Sequence, residues 1–309
     1  MKVAFVFPGQ GSQSLGMLDG FGANAAIAAT LAEATRVLGQ DVGELIRCGP
    51  QEQLDLTTNT QPVMLASGVG AFRAWRAAGG ALPALLAGHS LGEYSALVAA
   101  EVLSFADALR LVRLRAQAMQ EAVPVGVGAM AAILGLDGAA VAAACAAAAH
   151  GEVVEPVNFN DPAQTVIAGH KAAVERACEV ARAGGARRAI LLPVSAPFHS
   201  SLMRPAAEQL AVHLESVAFA APRVDVINDV DVAIEHEPGR IRDALVRQAW
   251  RAVRWVEVVQ SLSAAGVTHV VECGPGKVLS GLIRRVDRNL VCSAIVDAPS
   301  LQATLDLLR

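Results

Sequence analysis

A chain of 309 residues with 53% apolar and only 4% aromatic residues can form one large domain or two modest ones, with cores of small aliphatic side chains. The net charge of −4 gives no general attraction to nucleic acid or to an anionic membrane surface, so neither is expected as a partner. The five cysteines include no C-x-x-C pair and no Cys/His cluster, which predicts reduced thiols and no metal site. No secretory signal and no apolar run of ~20 residues is visible, and we expect a cytoplasmic protein.

Strand-like apolar runs alternate with helical patterns in the first third of the chain. In order, the sequence predicts a strand at 3–7, helices at 25–38 and 63–78, a strand at 82–87 and a helix at 93–100. This alternation predicts a parallel sheet covered by helices.

The pattern changes between residues 125 and 195. Strands at 130–136, 153–159, 165–168 and 189–194 and helices at 139–149 and 172–183 give the order strand, helix, strand, strand, helix, strand. That order is typical of a ferredoxin-like module. Helices at 206–214 and 241–250 and strands at 224–228 and 269–273 then resume the α/β pattern. The sequence therefore predicts a small subdomain, 125–195, inserted into a large one made of 1–124 and 196–309.

A G-x-S-x-G motif at residues 88–92 stands between the predicted strand and helix. This context predicts a nucleophile elbow, a sharp turn that raises the Ser90 hydroxyl into a cleft. The glycines on either side meet neighbouring backbone where a Cβ would collide. The helix that follows directs backbone N–H groups at any oxyanion that forms. Ser90 is the predicted nucleophile for acyl transfer, and the alternative is a glycine-rich loop with an ordinary surface serine.

A serine nucleophile needs a base within hydrogen-bond reach. His199 is the better candidate because it lies in a Pro-Phe-His-Ser loop where the chain leaves the inserted unit, whereas His89 adjoins Ser90 at a turn from which neighbouring side chains diverge. No carboxylate is convincingly placed to orient His199. Gln248 is a candidate to do so, although it also fits an ordinary glutamine at a helix end. Glycines in the loop at 7–13 allow a second oxyanion donor to approach the elbow.

These pieces together resemble the bacterial malonyl-CoA:acyl-carrier-protein transacylases and the related acyltransferase domains of polyketide synthases. The resemblance covers nearly the whole chain. It is carried by Phe-Pro-Gly-Gln-Gly-Ser-Gln at 7–13, Thr-Gln-Pro at 60–62, Gly-His-Ser-Leu-Gly-Glu at 88–93, Arg115 with Met-Gln at 119–120, Val-Asn-Phe-Asn at 157–160, Pro-Phe-His-Ser at 197–200, and Gly-Pro-Gly-Lys at 274–277.

The resemblance implies a hydrolase-like large subdomain with a ferredoxin-like insert, and it assigns Ser90 as nucleophile and His199 as base. It also implies that the Gln248 carbonyl orients His199 and that Arg115 holds the free carboxylate of a malonyl group. The remaining positions that it implies around the substrate are Gln10 and Leu91 as backbone oxyanion donors, Gln61 as support for the elbow, and Asn160 and Phe198 in the acyl pocket.

The implied reaction moves malonyl from malonyl-CoA through a malonyl-serine ester to the phosphopantetheine thiol of acyl carrier protein, in fatty-acid biosynthesis and with no permanently bound cofactor. Two other acceptor systems stay open, a polyketide line and a malonate-processing complex. A serine thioesterase is the enzymatic alternative, and a non-catalytic carrier-docking protein is the other.

Carrier proteins are acidic, so their docking calls for local positive charge. Lys277, Arg284 and Arg285, with Arg288, form one candidate docking group. A second group consists of Lys171, Arg187 and Arg188, and either group could be a solvated face.

Overall fold

The computed structural model describes residues 1–309, in nine strands and thirteen α-helices. The strands are β1 (Val3–Phe7), β2 (Leu85–Gly88), β3 (Gly128–Leu134), β4 (Val154–Asp161), β5 (Gln164–His170), β6 (Arg188–Leu191), β7 (Asp225–Ile227), β8 (His269–Cys273) and β9 (Val291–Ile295). The helices are α1 (Ala25–Leu38), α2 (Val42–Cys48), α3 (Gln51–Leu54), α4 (Thr57–Ala77), α5 (Gly92–Ala99), α6 (Phe105–Glu121), α7 (Gly138–Ala148), α8 (Lys171–Ala183), α9 (Arg204–Glu215), α10 (Pro238–Gln248), α11 (Trp255–Ala264), α12 (Val278–Val286) and α13 (Ala298–Leu307).

Five parallel strands form the larger sheet, in the order β7-β2-β1-β8-β9. The central strands β1 and β2 are almost entirely buried, because helices cover both faces, and they are therefore continuous apolar runs rather than alternating ones. This sheet confirms the predicted α/β class with a parallel sheet and helices.

Four antiparallel strands form the smaller sheet, in the order β4-β5-β3-β6. The helices α7 and α8 pack on it through a separate apolar core that includes Ile133, Val141 and Val174. The succession β3-α7-β4-β5-α8-β6 with this strand order is the ferredoxin-like arrangement that the sequence predicted. The exact limits of the subdomain, 125 and 195, remain predictions.

Strand β4 also joins the small sheet to the large one. The Phe159 N–H donates to the Val253 carbonyl and the Val253 N–H to the Val157 carbonyl, both at 2.9 Å. Asp161 at the end of β4 pairs with Arg285 on α12. These contacts hold the small sheet against the segment before α11 and against helix α12 of the large subdomain.

Several element boundaries differ from the sequence prediction. Helix α4 begins at Thr57 rather than residue 63, because Pro62 is accommodated inside the helix instead of marking its start. Strand β6 ends at Leu191 and helix α10 at Gln248, each short of its predicted end. The edge strand β9 and the helices α2, α3, α11 and α13 were not predicted.

None of the helices has the length together with the apolar character needed to cross a bilayer. No group of three or more histidine, cysteine or acidic side chains is arranged to hold a metal ion.

The elbow between β2 and α5 is built on two close backbone contacts. A Cβ on Gly88 would lie 2.0 Å from the Gly92 carbonyl carbon, and a Cβ on Gly92 would lie 2.0 Å from the Phe7 carbonyl oxygen. Ser90 between them has a φ of 52°, in the left-handed region that non-glycine residues rarely adopt. The surrounding contacts hold the serine in this strained conformation.

We therefore predict that Gly92→Ala lowers the free energy of unfolding by about 1–3 kcal/mol, since the new methyl group meets rigid backbone. Gly239→Ala is the matched control, because its Cβ would meet only the end of the Glu237 side chain at 3.5 Å. That variant should be neutral or slightly stabilising. Urea unfolding of the two variants checks this, and equal effects would contradict the steric account of the elbow.

Candidate active site

Ser90 and His199 meet although 109 positions separate them. The distance from Ser90 Oγ to His199 Nε2 is 2.7 Å, and that from His199 Nδ1 to the Gln248 carbonyl oxygen is 2.8 Å. A carbonyl only accepts, so Nδ1 carries the proton and Nε2 is free to accept the serine hydroxyl proton. His199 also has a positive φ, of 65°, so both members of the pair sit on strained backbone.

The environment keeps His199 neutral. Burial lowers its pKa to about 3, and the positive charge of Arg115 adds to this shift. An imidazole that is unprotonated at neutral pH can act as a general base. No carboxylate orients it: Asp107 lies in the first turn of helix α6 and pairs with Arg110, and Asp161 pairs with Arg285.

Gln248 contributes more than its carbonyl. Its buried side-chain amide donates to the Ser90 carbonyl oxygen and to Glu93 Oε2, each at 3.0 Å. Its Oε1 accepts from Arg115 Nη2 at 3.1 Å. One residue at the end of helix α10 therefore holds the backbone of Ser90, the ring of His199 and the head of Arg115. The sequence indicated only the carbonyl.

Arg115 is 3% exposed and forms no ion pair. Its Nη1 donates to Gln61 Oε1 at 2.8 Å, its Nη2 donates to Ser90 Oγ at 3.2 Å, and its Nε has no partner. Burial lowers its pKa, but a guanidinium stays protonated in proteins. The site thus contains a buried positive charge beside the serine hydroxyl with no carboxylate to neutralise it.

The position of Gln61 corrects one expectation. Its hydrogen bonds go to Arg115 and, at 3.4 Å, to Thr57 Oγ1, rather than to the elbow that it was expected to support. Gln61 lies on the buried face of α4, and its hydrogen bond fixes the position of the Arg115 guanidinium.

Two backbone N–H groups near Ser90 have no acceptor within the chain, those of Gln10 and Leu91. A Cβ on Gly9 would lie 3.7 Å from the Leu91 nitrogen, so the loop at 7–13 lies against the elbow. The Gln10 side chain is fixed by a 2.9 Å hydrogen bond from Thr57 Oγ1. The two free donors have the character of an oxyanion hole.

His89 turns away from the nucleophile, as expected. Its Nε2 lies 2.8 Å from Asn160 Oδ1, and its ring packs on Trp255 with the centroids 5.5 Å apart. Burial lowers its pKa, so it is a neutral side chain that holds Asn160 in the pocket wall.

A cavity of about 600 Å³ lies beside Ser90, within the size range of small-molecule sites. Its walls come from the small sheet and from loops and helices of the large subdomain. Its lining includes Gln10, Gln61, Ser90, Leu91, Arg115, Asn160, Phe198 and His199. Every residue predicted to bind substrate therefore faces one cavity, and Gln248 lies behind it. A larger open groove, of about 770 Å³, contains none of these residues.

The predicted docking residues lie outside this cavity. Lys277 is exposed, Arg284 donates to the Cys292 carbonyl oxygen, and Arg285 pairs with Asp161. Part of this basic group therefore joins α12 to the small sheet and to β9.

Sequence reasoning missed Asp229. This carboxyl is fully buried, and its Oδ2 accepts the Ser90 N–H at 2.7 Å. The sequence does contain a signal for this position. Asp229 comes shortly after strand β7, and β7 pairs in parallel with β2, the strand that leads into the elbow. The carboxyl ends of neighbouring parallel strands meet at one edge, so a polar residue there belongs beside the elbow.

The family model of the acyl transferase domain matches residues 4–300 of this chain. The chain belongs to the acyl transferase domain family. This acyl transferase is 54% identical over 307 residues to the malonyl CoA-acyl carrier protein transacylase of Escherichia coli K12, with 99% of each chain covered.

Solved structures agree with that relationship. An acyl-carrier-protein S-malonyltransferase of Burkholderia pseudomallei 1710b matches with a TM-score of 0.98 at 60% identity, covering 99% of this acyl transferase and 100% of that chain. A malonyl-transacylase solved in complex with a type II PKS acyl-carrier protein matches with a TM-score of 0.98 at 50% identity, covering 99% and 100%.

We predict that Gln248→Ala slows acylation of Ser90 in this acyl transferase by about 10–100-fold, although the carbonyl that holds His199 remains. Loss of a buried hydrogen bond costs about 1–3 kcal/mol, and each 1.4 kcal/mol is tenfold in rate. Release of the phenolate from a chromogenic acyl ester measures the rate. Gln260→Ala, at an exposed position of helix α11, is the matched control and should match the unmodified protein. Equal rates in the two variants would show that only the carbonyl matters.

Proposed function

We propose that this acyl transferase carries a malonyl group from malonyl-CoA to the phosphopantetheine thiol of acyl carrier protein, in fatty-acid biosynthesis. The observation that carries the proposal is the position of Ser90 Oγ, 2.7 Å from a neutral His199 and 3.2 Å from a buried, unpaired Arg115. A base activates the hydroxyl, and a fixed cation beside it selects an anionic acyl group. The names of the related proteins support the same substrate and acceptor.

The first half of the reaction acylates the serine. His199 Nε2 accepts the hydroxyl proton while Oγ attacks the thioester carbonyl. The bond to the CoA sulfur then breaks, and the imidazolium gives its proton to that sulfur, which leaves as the thiol of CoA. The oxyanion that forms accepts from the Gln10 and Leu91 N–H groups. Each such donor contributes ~10²–10³ in rate. The Gln248 carbonyl stabilises the imidazolium that exists during this step.

The second half reverses these roles. The phosphopantetheine thiol gives its proton to His199, and its sulfur attacks the malonyl-serine ester. The ester bond breaks, and Ser90 Oγ recovers a proton from the imidazolium. The result is a ping-pong exchange between two thioesters, which needs no permanently bound cofactor.

Arg115 selects the acyl group in this proposal. A guanidinium can pair with a carboxylate through two parallel N–H···O bonds, a geometry that lysine imitates poorly. Its unpartnered Nε and its buried setting support this role, since hydrogen bonds to charged groups contribute about 1.5–3 kcal/mol. Acetyl-CoA, which has no free carboxylate, should be a poorer donor by about one to two decades.

The cleft between the large subdomain, 1–124 with 196–309, and the small one, 125–195, is the proposed substrate channel. The carrier protein is proposed to dock on Lys277, Arg284 and Arg285, with its acidic surface toward helix α12. Arg285 remains accessible to a partner, because its side chain is 54% exposed despite the pairing with Asp161.

The central prediction is a stable acyl-enzyme. With malonyl-CoA and no acceptor, the enzyme should release one equivalent of CoA and then stall, and intact mass should show one malonyl group. Ser90→Ala should show none, and Ser14→Ala, at an exposed serine, should behave like the unmodified enzyme. Steady CoA release would indicate a thioesterase. An unmodified mass would indicate a protein that only docks its carrier.

Arg115→Ala should lower the ratio of malonyl to acetyl transfer by about one to two decades, because the carboxylate loses its charged partner. Arg115→Lys should recover only part of this ratio, since an ammonium group lacks the planar fork. Arg110→Ala, on the exposed face of the same helix, is the control and should leave the ratio unchanged. The measurement is kcat/KM for each acyl-CoA. Equal losses for both donors would remove the selective role of Arg115.

A further inference from the structure

Two carboxylic acids lie behind the elbow, and neither lines the substrate cavity. Glu93 is 1% exposed and Asp229 is 0% exposed. Asp229 Oδ2 accepts the Ser90 N–H at 2.7 Å, and the Asp229 N–H donates to Glu93 Oε2 at 3.0 Å. The Gln248 amide donates to Glu93 Oε2 at 3.0 Å. The two acids thus hold the nucleophile and the residue that orients its base.

The charges around these acids do not balance two negative groups. Neither Glu93 nor Asp229 forms an ion pair. The groups that face them are Arg115 from helix α6, Tyr94 from α5 and, beyond the same loop, Asp231. Arg115 is the only cation among these groups, and Asp231 is already paired with Arg247. Glu235 lines a crevice with Glu93, and it is paired with Arg240. Tyr94 adds no charge, since burial raises the pKa of its hydroxyl far above its ordinary value and keeps it protonated.

We propose that Glu93 and Asp229 form a buried acid pair that holds a proton at neutral pH and thereby leaves Arg115 free for the carboxylate of the acyl group. This inference rests on the proposed malonyl specificity. Burying two ionised carboxylates together is costly, and neutralising one of them with a proton is the usual solution. When the pair loses this proton, its added negative charge competes with the malonyl carboxylate for the Arg115 guanidinium.

The electrostatics agree with this arrangement. Burial raises the pKa of Glu93 to about 7 and raises that of Asp229 well above its ordinary value, with the neighbouring Glu93 as the second cause for Asp229. Two acids this close titrate as a unit, so the relevant quantity is the apparent pKa of the pair. Asp229 Oδ1 is buried with no hydrogen-bond partner, which an ionised carboxylate would tolerate poorly.

Glu93 also lines a crevice of about 10 Å³, together with Asn228 and Glu235. A space of that size is close to the minimum for one water molecule.

Binding linkage gives the direction of the effect. A malonyl carboxylate on Arg115 adds a negative charge near the pair and raises its proton affinity. By reciprocity, a protonated pair favours malonyl binding. Malonyl acylation should therefore be strong below the apparent pKa of the pair and weaken as the pH rises through it. Acetyl acylation involves no second carboxylate and should lack this dependence.

The test is the ratio of kcat/KM for acylation by malonyl-CoA and by acetyl-CoA, measured from pH ~6 to ~9, a range that spans neutrality. Because both donors carry the same CoA, titration of the leaving group cancels in the ratio. In the unmodified enzyme the ratio should fall at least about tenfold, the effect of one linked proton over one pH unit. In Asp229→Asn and in Glu93→Gln the ratio should stay flat. A flat ratio in the unmodified enzyme, or a fall that persists in both variants, overturns the proposal.

The control variant is Asp225→Asn, the same change at a partly exposed position of strand β7, which should keep the fall. Asp229→Asn keeps an oxygen that can accept the Ser90 N–H, so it is the variant most suited to fold, and circular dichroism checks that it does. A purely structural role for Asp229 would change the rates with both donors equally and leave the shape of the ratio intact.

A spectroscopic measurement separates this inference from the proposed function. Infrared difference spectra of the free enzyme, unmodified minus Asp229→Asn and unmodified minus Glu93→Gln, should show the carbonyl stretch of a protonated carboxylic acid at neutral pH. That band should disappear as the pH rises. If the band is present but no malonyl-serine forms, the acid pair is supported and the proposed substrate is wrong. Its absence from both spectra would remove the acid pair while malonyl transfer could still stand.

Discussion

The hydrogen bond between Ser90 Oγ and His199 Nε2 is the contact on which the rest of the site depends. It joins two residues that both occupy the left-handed region of the backbone, a conformation that packing must enforce. The glycines of the elbow fix the first residue, and the carbonyl at the end of helix α10 fixes the ring of the second. The fold therefore holds the proposed nucleophile and base in contact before any substrate binds, as a preorganised site requires.

A second constraint is electrostatic. Arg115 and His199 are buried within one site, and no carboxylate forms an ion pair with either of them. A buried charge without an ion-pair partner destabilises a fold, and the direct hydrogen bonds of Arg115 all go to uncharged groups. The same guanidinium contributes to the low pKa of His199, which keeps the imidazole unprotonated. The proposed acyl selectivity and the protonation state of His199 therefore depend on one side chain, and Gln61 and Gln248 fix its position.

The small sheet completes the site by forming one wall of the cavity. Strand β4 is held to the large subdomain by backbone hydrogen bonds at Val253 and by the pair between Asp161 and Arg285. Asn160 on that strand reaches His89 beside the nucleophile. The small subdomain has its own core and covers one side of the cavity beside Ser90. Without it, a hydrolase-like fold would leave that side of the cavity open to solvent.

Local sequence patterns were enough to predict the two sheet types and the elbow and to select Ser90 as the candidate nucleophile, because hydrophobic period, glycine spacing and turn chemistry are local properties. It could not place Asp229 or the amide of Gln248 beside Ser90, nor show that Gln61 holds Arg115 rather than the elbow. Strand β9 and the start of α4 also escaped local reasoning, since an edge strand and a tolerated proline depend on their neighbours. Which buried charges face each other could be seen only in the folded chain, because Glu93 and Asp229 come from chain segments more than a hundred residues apart.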